Sequence, residues 1–381
     1  MDFDWTHEQR DYHDVVVRFA QTRLTEDVIR RDAGHAFSAE AWKRCAEVGI
    51  QGLPVPEEYG GSGADATTIV LALEGLGYGC TDNGLIFSLN AQMWACEVPL
   101  VKFGTEEQKR RYLPRLCDGT MIAAQAISEP GAGSDAMGLT ATAEQRGDVY
   151  VLNGAKTFAT NAPAADVLIV YATTDRSKGF AGLVAFILDR DTPGLTVGQP
   201  LEKMGLRTSP MGEVFLEGCE APAEHMLGKP GSGMAIFTLA MLWERSCILA
   251  STVGAMQRQV ERCVQYARER RQFGQPIGKF QAVSHRIADM KVRLEAARLL
   301  VYRLGWLLER GKATAADAAL AKLHLSESYV QSSLDALQVY GGYGYMTEYE
   351  LEREVRDAIG SRIHSGTSDI QRNIIASFLG L

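Results

Sequence analysis

The sequence predicts an α+β protein whose two structural classes are segregated into three blocks. These are a helical N-terminal domain over residues 1 to 120, a middle antiparallel β-sandwich or barrel over 121 to 228, and a C-terminal helical bundle over 229 to 381. Three observations carry this reading. Apolar residues recur at helical spacing in the outer blocks, whereas the middle block holds short β-rich runs separated by Gly, Pro and Asp. Seven of the twelve prolines fall between positions 130 and 230 inclusive, and beyond Pro230 the third block contains only Pro276. Strand-like and helical runs do not alternate, which sets aside a βαβ architecture. A chain of 381 residues with 46% hydrophobic content has room for two or three domains.

In the first block, Tyr59-Gly60-Gly61-Ser62-Gly63 is dense in glycine. Ala64-Asp65 stands where a phosphate-binding loop needs Lys and a hydroxyl, so the segment reads as a plain loop. Positions 67 to 76 and 86 to 103 carry helix-period apolar residues. Thr105-Glu106-Glu107-Gln108 is a capping box that opens the amphipathic run 109 to 117.

The middle block opens on Ala126-Ile127-Ser128-Glu129-Pro130-Gly131-Ala132-Gly133-Ser134-Asp135. Gly131-x-Gly133-x-x-Ala136 nominally fits a dinucleotide fingerprint, but that fingerprint needs a helix directly afterwards. Gly138-Leu139-Thr140-Ala141-Thr142 is not one, and a surface turn reads equally from the local pattern. Asn153-Gly154, between Val149-Tyr150-Val151-Leu152 and the run 155 to 160, signals a type I′ hairpin. Runs 167 to 173, 183 to 188 and 213 to 216 are further strands.

In the third block, 233 to 268, 279 to 310 and 314 to 340 read as long helices, with Gly311 placed to end the second. Arg268-Glu269-Arg270-Arg271-Gln272-Phe273-Gly274 closes the first in a basic cluster, either a solvated face or a site for a pyrophosphate and a ring. Gln338-Val339-Tyr340-Gly341-Gly342-Tyr343-Gly344-Tyr345 places three glycines in four positions, a loop suited to close backbone approach or a plain interhelical turn. Ser365-Gly366-Thr367-Ser368-Asp369 suits a helix cap equally well.

The net charge of −8 argues against nucleic acid as a partner. Met1-Asp2-Phe3-Asp4-Trp5 lacks the basic region and apolar core of a signal peptide. No run reads as a membrane span, because the most apolar one is interrupted by two charges. Seven dispersed cysteines without a Cys-x-x-Cys pair read as reduced thiols of a cytoplasmic protein. The seven histidines show no metal spacing, and His364 reads as structural.

The two interrupting charges are Glu244 and Arg245, alone in the stretch 235 to 250. That run is apolar nearly all round, which places it inside a helical core. A carboxylate there is desolvated, at several kcal/mol unless paired, hydrogen-bonded or neutral. Consecutive residues on a helix do not face each other, so Arg245 is not its partner. An acid so placed is a candidate general base with a raised pKa.

Together these residues resemble the acyl-CoA dehydrogenase family over essentially the whole chain. Two long patterned segments carry the resemblance: 126–138, and 338–357 with Glu348 and Arg353 at the family's offsets. The resemblance implies a C-terminal four-helix bundle and FAD held between the middle and last domains. It implies flavin contacts from Gln125, Ile127, Ser128, Phe158 and Thr160, adenosine-side contacts from Thr367 and Asp369, and substrate contact from Ser134. Arg270, Gln272, Phe273, Gln338 and Gly342 would reach the FAD of a neighbouring subunit, so a homodimer or homotetramer is implied.

Many family members carry the catalytic glutamate directly before the Gly-Thr pair, and here that position is Ser365, followed by Gly366. A minority, similar to isovaleryl-CoA and long-chain acyl-CoA dehydrogenases, place the base on the first bundle helix, which matches Glu244 beside Arg245. The implied reaction is α,β-dehydrogenation of an acyl thioester, with the backbone N–H at position 365 as an oxyanion donor. The strings Trp243-Glu244-Arg245-Ser246-Cys247-Ile248-Leu249-Ala250 and Ile363-His364-Ser365-Gly366-Thr367-Ser368 look like a subgroup that oxidises acyl, aminoacyl or prolyl groups on a carrier protein in antibiotic and toxin pathways. An acidic carrier would dock on a basic face including Arg110, Arg111 and Arg115, which reads equally as solvated surface. An electron-transfer flavoprotein or oxygen would take the electrons. The alternatives are a CoA-thioester enzyme of branched-chain or fatty-acid breakdown, and a flavin-bound scaffold without activity.

Overall fold

The computed structural model describes residues 5–24 and 26–381, so the acidic start at residues 1–4 lies outside the described residues. Helix α1 (His7–Arg23) starts on a Thr6/Gln9 capping box and is followed by α2 (Val28–Ala33) and α3 (Ala39–Glu47). Helix α4 (Ala66–Gly79) is the buried centre of this domain, with Ile69, Val70, Ala72 and Leu73 fully enclosed. Helix α5 (Asn83–Gln92) runs through a π-helical turn (Met93–Glu97) into α6 (Val98–Phe103). The capping box predicted for α7 (Glu106–Cys117) is present: Gln108 N–H donates to Thr105 Oγ1 at 3.2 Å, and Thr105 N–H to Gln108 Oε1 at 3.0 Å.

Eight strands among the described residues form one curled sheet. They are β1 (Ala123–Ala126), β2 (Thr142–Arg146), β3 (Val149–Thr160), β4 (Val167–Thr173), β5 (Leu183–Asp189), β6 (Leu195–Val197), β7 (Met211–Pro222) and β8 (Met226–Leu227). The order is β6-β7-β3-β2-β4-β5-β8, with β1 beside β4. Most pairings are antiparallel; β1–β4 and the Thr142–Thr173 bridge are parallel. Strand β4 is buried throughout, as its unbroken apolar sequence dictates. Its Leu168 and Val170 face the interior of the sheet with Leu152, Phe186 and Leu216, while Val167, Ile169 and Tyr171 pack against Leu113, Leu116 and Ile236 of the helices. The middle domain therefore shares its outer face with both helical domains.

The hairpin lies elsewhere than the sequence reading placed it. Strand β3 runs straight through Asn153-Gly154, and the turn is Gly147-Asp148, which joins β2 to β3 with Arg146 opposite Val149. Asn153-Gly154 is instead a bulge against β7. Its Asn153 Oδ1 accepts from Gly218 N–H at 2.8 Å, and Gly154 leaves no room for a Cβ beside Ala141. The strong turn dipeptide was thus used to bend a strand, and β2 escaped notice because four of its five residues are exposed.

The predicted helix over 233 to 268 is two helices, α8 (Gly233–Cys247) and α9 (Ala250–Glu269), interrupted at Ile248-Leu249. Taken together, Gly233–Glu269 is long and apolar enough to cross a membrane by length and composition, contrary to the reading from its two charges. Half of its most apolar window is buried in the fold. Nor is α8 wholly inside: Ile236, Ala240, Met241 and Cys247 are buried, but Ala235 and Thr238 are exposed. A short hairpin, β9 (Arg271–Gln272) and β10 (Gln275–Pro276), leads to α10 (Gln281–Glu309), α11 (Ala315–Tyr340), α12 (Leu351–Gly360) and α13 (Ser368–Phe378). Helices α9, α10 and α11 pack on one another, α12 and α13 lie against α11, and α4 crosses α9.

The second diagnostic segment clasps the domains. Arg353 Nη2 donates to Thr81 O at 3.0 Å, while Asp357 accepts from Asn83 Nδ2 at 3.0 Å and from the Leu206 N–H at 2.6 Å. One turn of α12 thereby holds both the N-terminal and the middle domain.

Candidate active site

Glu244 lies on the last turn of α8, and Ser365 in the tight turn between α12 and α13. Ser365 Oγ donates to Glu244 Oε1 at 2.5 Å. Ser365 holds a left-handed backbone conformation, φ +59°, and Gly366 follows at +88°. Non-glycine residues avoid that region, so the turn needs outside support. Three elements supply it. Arg245 Nε of α8 donates to Ser365 O at 2.9 Å. Lys322 Nζ of α11 donates to Gly366 O at 2.9 Å, and Gln371 Nε2 of α13 to Ser365 O at 3.2 Å and Gly366 O at 2.8 Å. With both carbonyls held, the Ser365 N–H has no acceptor among the described residues.

Arg245 therefore hydrogen-bonds the turn and not Glu244, as consecutive helical positions require. Burial raises the Glu244 carboxyl, opposed first by the Ser365 hydrogen bond and then by the charges of Arg245 and Lys322. Burial pushes Lys322 down to about 8. His364, whose Nδ1 lies 3.1 Å from Ser365 Oγ, is pushed down to about 3 by burial and by Lys322, and is neutral. Cys96 and Tyr171 complete the surroundings; both are raised by burial, with Glu244 adding to each. The arrangement offers a half-buried carboxylate with a hydroxyl donor and a free backbone N–H from one turn.

The other expected residues fall into two groups. Gln125 is on β1, where its Nε2 donates to Ala95 O at 3.2 Å and Tyr171 Oη at 3.4 Å. Ile127 and Ser128 follow; Ser128 O accepts from Thr157 N–H at 2.9 Å, which brings that loop beside Phe158 and Thr160 of β3. Phe158 is 64% exposed and holds φ +56°, so a large ring is presented to solvent by a disfavoured backbone. Ser134 is exposed on the following loop.

The second group surrounds the β9–β10 hairpin. Arg270, Gln272 and Gly342 line one cleft of about 460 Å3 with Tyr266, Tyr340 and Tyr343. Arg270 sits over the Tyr343 ring at 5.3 Å, and Gly341 and Gly342 present open backbone. Phe273 and Gly274 form the hairpin tip at φ +50° and +80°, with Phe273 92% exposed. Gln338 is exposed one turn earlier. Among the described residues no hydrogen bond or ion pair joins these to Phe158 or Glu244. Thr367 caps α13 by accepting from Ile370 N–H at 3.3 Å, and exposed Asp369 pairs with Arg372. Arg111 of the basic cluster on α7 is engaged by Asp189 at 2.5 Å and Arg110 by Glu106 at 3.8 Å; Arg115 is exposed.

Sequence reasoning missed Lys322, Gln371 and Cys96, which carry no motif. It also missed the buried pair Lys156–Glu129, Nζ to Oε1 2.8 Å, which fastens the Ile127–Ser128 loop to β3. Lys156 is adjacent in sequence to the Phe158 segment, and a lone lysine in an apolar strand is a readable signal.

Residues 6–120, 124–219 and 231–380 match the N-terminal, middle and C-terminal domains of acyl-CoA dehydrogenase. The L-prolyl-(peptidyl-carrier protein) dehydrogenase of Pseudomonas fluorescens is 44% identical over 382 residues, covering 100% of both chains. The solved structure of the prolyl acyl carrier protein oxidase AnaB is 49% identical, with a TM-score of 0.98 over 99% of this chain and 100% of that one. A structure of PigA with FAD and proline gives 44% and 0.98 over 100% of each.

Proposed function

Because this chain belongs to the acyl-CoA dehydrogenase family, we propose that it is an FAD-dependent dehydrogenase of a carrier-bound acyl thioester, with an L-prolyl group on a peptidyl carrier protein as the substrate. The observation that carries the mechanism is Glu244 at the Ser365 turn. The thioester acidifies the α-carbon, and the Glu244 carboxylate takes its proton. The free N–H of Ser365 receives the charge that develops on the thioester oxygen, held in place beforehand by Arg245, Lys322 and Gln371. FAD, when bound, supplies the acceptor for the β-hydride.

The residues present fit that cofactor. Phe158 offers a flat face out of the fold, Gln125 and Thr160 lie on the strands beside it, and Thr367 and Asp369 stand at the N-terminus of α13. The cleft lined by Arg270, Gln272 and Gly342 is open to a second chain, with Phe273 projecting beside it and Gln338 near. We assign it to the neighbouring subunit's cofactor, in a homodimer or homotetramer. Seven free, buried cysteines suit a reducing, cytoplasmic setting, with an electron-transfer flavoprotein or oxygen as acceptor. Ser134 is assigned to the substrate side.

The test is anaerobic mixing of the FAD-loaded protein with prolyl thioesters on a carrier protein and on CoA, following flavin absorbance and product mass. Bleaching with the carrier thioester is expected. Equal or faster bleaching with CoA replaces the carrier by the CoA alternative, and no bleaching with any thioester leaves only the scaffold.

A further inference from the structure

Among the described residues, Ser365 Oγ is the only hydrogen-bond partner of the Glu244 carboxylate. Arg245 and Lys322 are close enough to act on it by charge, but the hydrogen bonds they make, from Arg245 Nε and Lys322 Nζ, go to the carbonyls of residues 365 and 366. A serine hydroxyl has one hydrogen. With Glu244 ionised it goes to Oε1, which makes His364 Nδ1, 3.1 Å from the same oxygen, the donor of the second bond. In that state the neutral imidazole takes its Nδ1–H form. The ring is held against Phe87, centroids 4.8 Å apart. The two bonds run in one direction, from imidazole N–H to hydroxyl oxygen and from hydroxyl hydrogen to carboxylate. The hydroxyl favours the ionised acid because its hydrogen bond to the carboxylate opposes the rise that burial imposes, and a donor imidazole leaves that hydrogen to Glu244.

The backbone is shaped to the same end. Ser365 keeps its left-handed conformation under three outside donors, and that conformation aims Oγ at α8. The groups facing Glu244 are Arg245 from its own helix, Lys322 from α11, Cys96 from the π-helical turn, Tyr171 from β4, and Ser365 with His364 from the turn. Of these, only the hydroxyl contacts the carboxylate directly.

We propose that Ser365 and His364 are a pair of positioning residues that hold Glu244 in its ionised, proton-accepting state and fix the direction of its carboxylate. The inference rests on Glu244 being the base of the proposed dehydrogenation. It adds to that reading, since a base alone implies no role for a histidine two bonds away. It also gives position 365 a part in the chemistry although serine there has no basicity.

The experiment compares the FAD-loaded protein with Ser365→Ala, Ser365→Gly and His364→Phe. The glycine variant relieves the backbone conformation, which keeps the comparison valid should the alanine variant fold poorly. Two readouts are taken: the pH dependence of kcat/KM, and a substrate-free infrared pH titration of the protonated carboxyl stretch, assigned by its loss in Glu244→Gln. Both midpoints should move to higher pH, by about one pH unit or more without the hydroxyl and by less without the imidazole. Activity should recover at alkaline pH, which a merely structural defect would not produce. Unchanged infrared midpoints in folded, FAD-retaining variants overturn the proposal. Because the titration needs no substrate, a wild type that turns over no thioester refutes the function separately.

Discussion

Gln92 and Glu97 face each other across the π-helical turn, Nε2 to Oε1 at 2.8 Å, and Oε2 of Glu97 is buried without a partner among the described residues. One amide donor does not offset the loss of water, and burial pushes the Glu97 carboxyl up to about 8. Gln92 Oε1 also accepts from the Ala123 N–H at 2.8 Å, so a neutral Glu97 belongs to the junction that carries β1 and Gln125.

The consequence for stability has a definite sign. Between about 4.5 and about 8 the native protein holds a proton on Glu97 that the unfolded chain has released. Stability therefore falls as pH rises through that window. Glu97→Gln removes the contribution while keeping an acceptor for Gln92. Its melting temperature should gain on the wild type from about pH 5 to pH 8, by the equivalent of a few kcal/mol at most. Parallel melting curves at every pH would show that Glu97 ionises freely in the fold.

Lys156 and Glu129 are both fully enclosed, and the Glu129 carboxylate also accepts from Thr140 N–H, Thr140 Oγ1 and Ala141 N–H. Lys156→Met would strand a carboxylate whose remaining donors are neutral. Breaking one side of such a pair costs about 3–5 kcal/mol. The loop that it fastens carries Ile127 and Ser128, so FAD should also dissociate more readily. Thermal melts with and without added FAD test both effects; a variant as stable as the wild type would show that neutral donors suffice for Glu129.

Glu244 was legible because two charges interrupted an apolar run. The same logic applies to Glu97, set in Met93-Trp94-Ala95-Cys96-Glu97-Val98, and there it identifies a sealed carboxyl beside a glutamine. What separates the two acids is the partner each meets, Ser365 from 121 positions away or Gln92 from five, and only the fold shows that. Helix caps were readable because their chemistry is local, as at Thr105 and Thr367. The break at Ile248-Leu249 was not, since neither residue is Gly or Pro and it immediately precedes the close crossing of α4 and α9. Asn153-Gly154 misled because a bulge and a hairpin ask for the same dipeptide.

That crossing is backbone against backbone. A Cβ added at Gly254 would lie 2.0 Å from Glu74 O, and one at Gly77 would lie 1.8 Å from Ser251 O. Gly254→Ala must push the helices apart, at about 1–3 kcal/mol or more. Gly342→Ala is the contrasting case, because its Cβ meets nothing within the chain. It should melt like the wild type yet retain FAD less well, if that glycine faces a neighbour's cofactor. Unaltered FAD affinity in Gly342→Ala would remove this cleft from the cofactor site.

Lys322 is fully buried, and its head group donates to Gly366 O without a carboxylate in ion-pair reach among the described residues. Burial first, and then the Arg245 charge, push the ammonium down to about 8. Below that pH the native protein carries a buried charge at full penalty, and stability rises between about 8 and 10.5, where the unfolded chain alone keeps the proton. Lys322→Met removes the charge at similar length, and Gly366 O retains Gln371 at 2.8 Å. The variant should be more stable at neutral pH by about 1–3 kcal/mol, with the difference shrinking above pH 10 or so. It should also be a poorer enzyme at low pH, since a positive charge that favours ionised Glu244 is gone and the acid limb of kcat/KM moves up. Melting curves and pH profiles on the same preparation decide it: a less stable Lys322→Met at pH 7 would mean that the ammonium is a fastening of the turn, and its charge incidental.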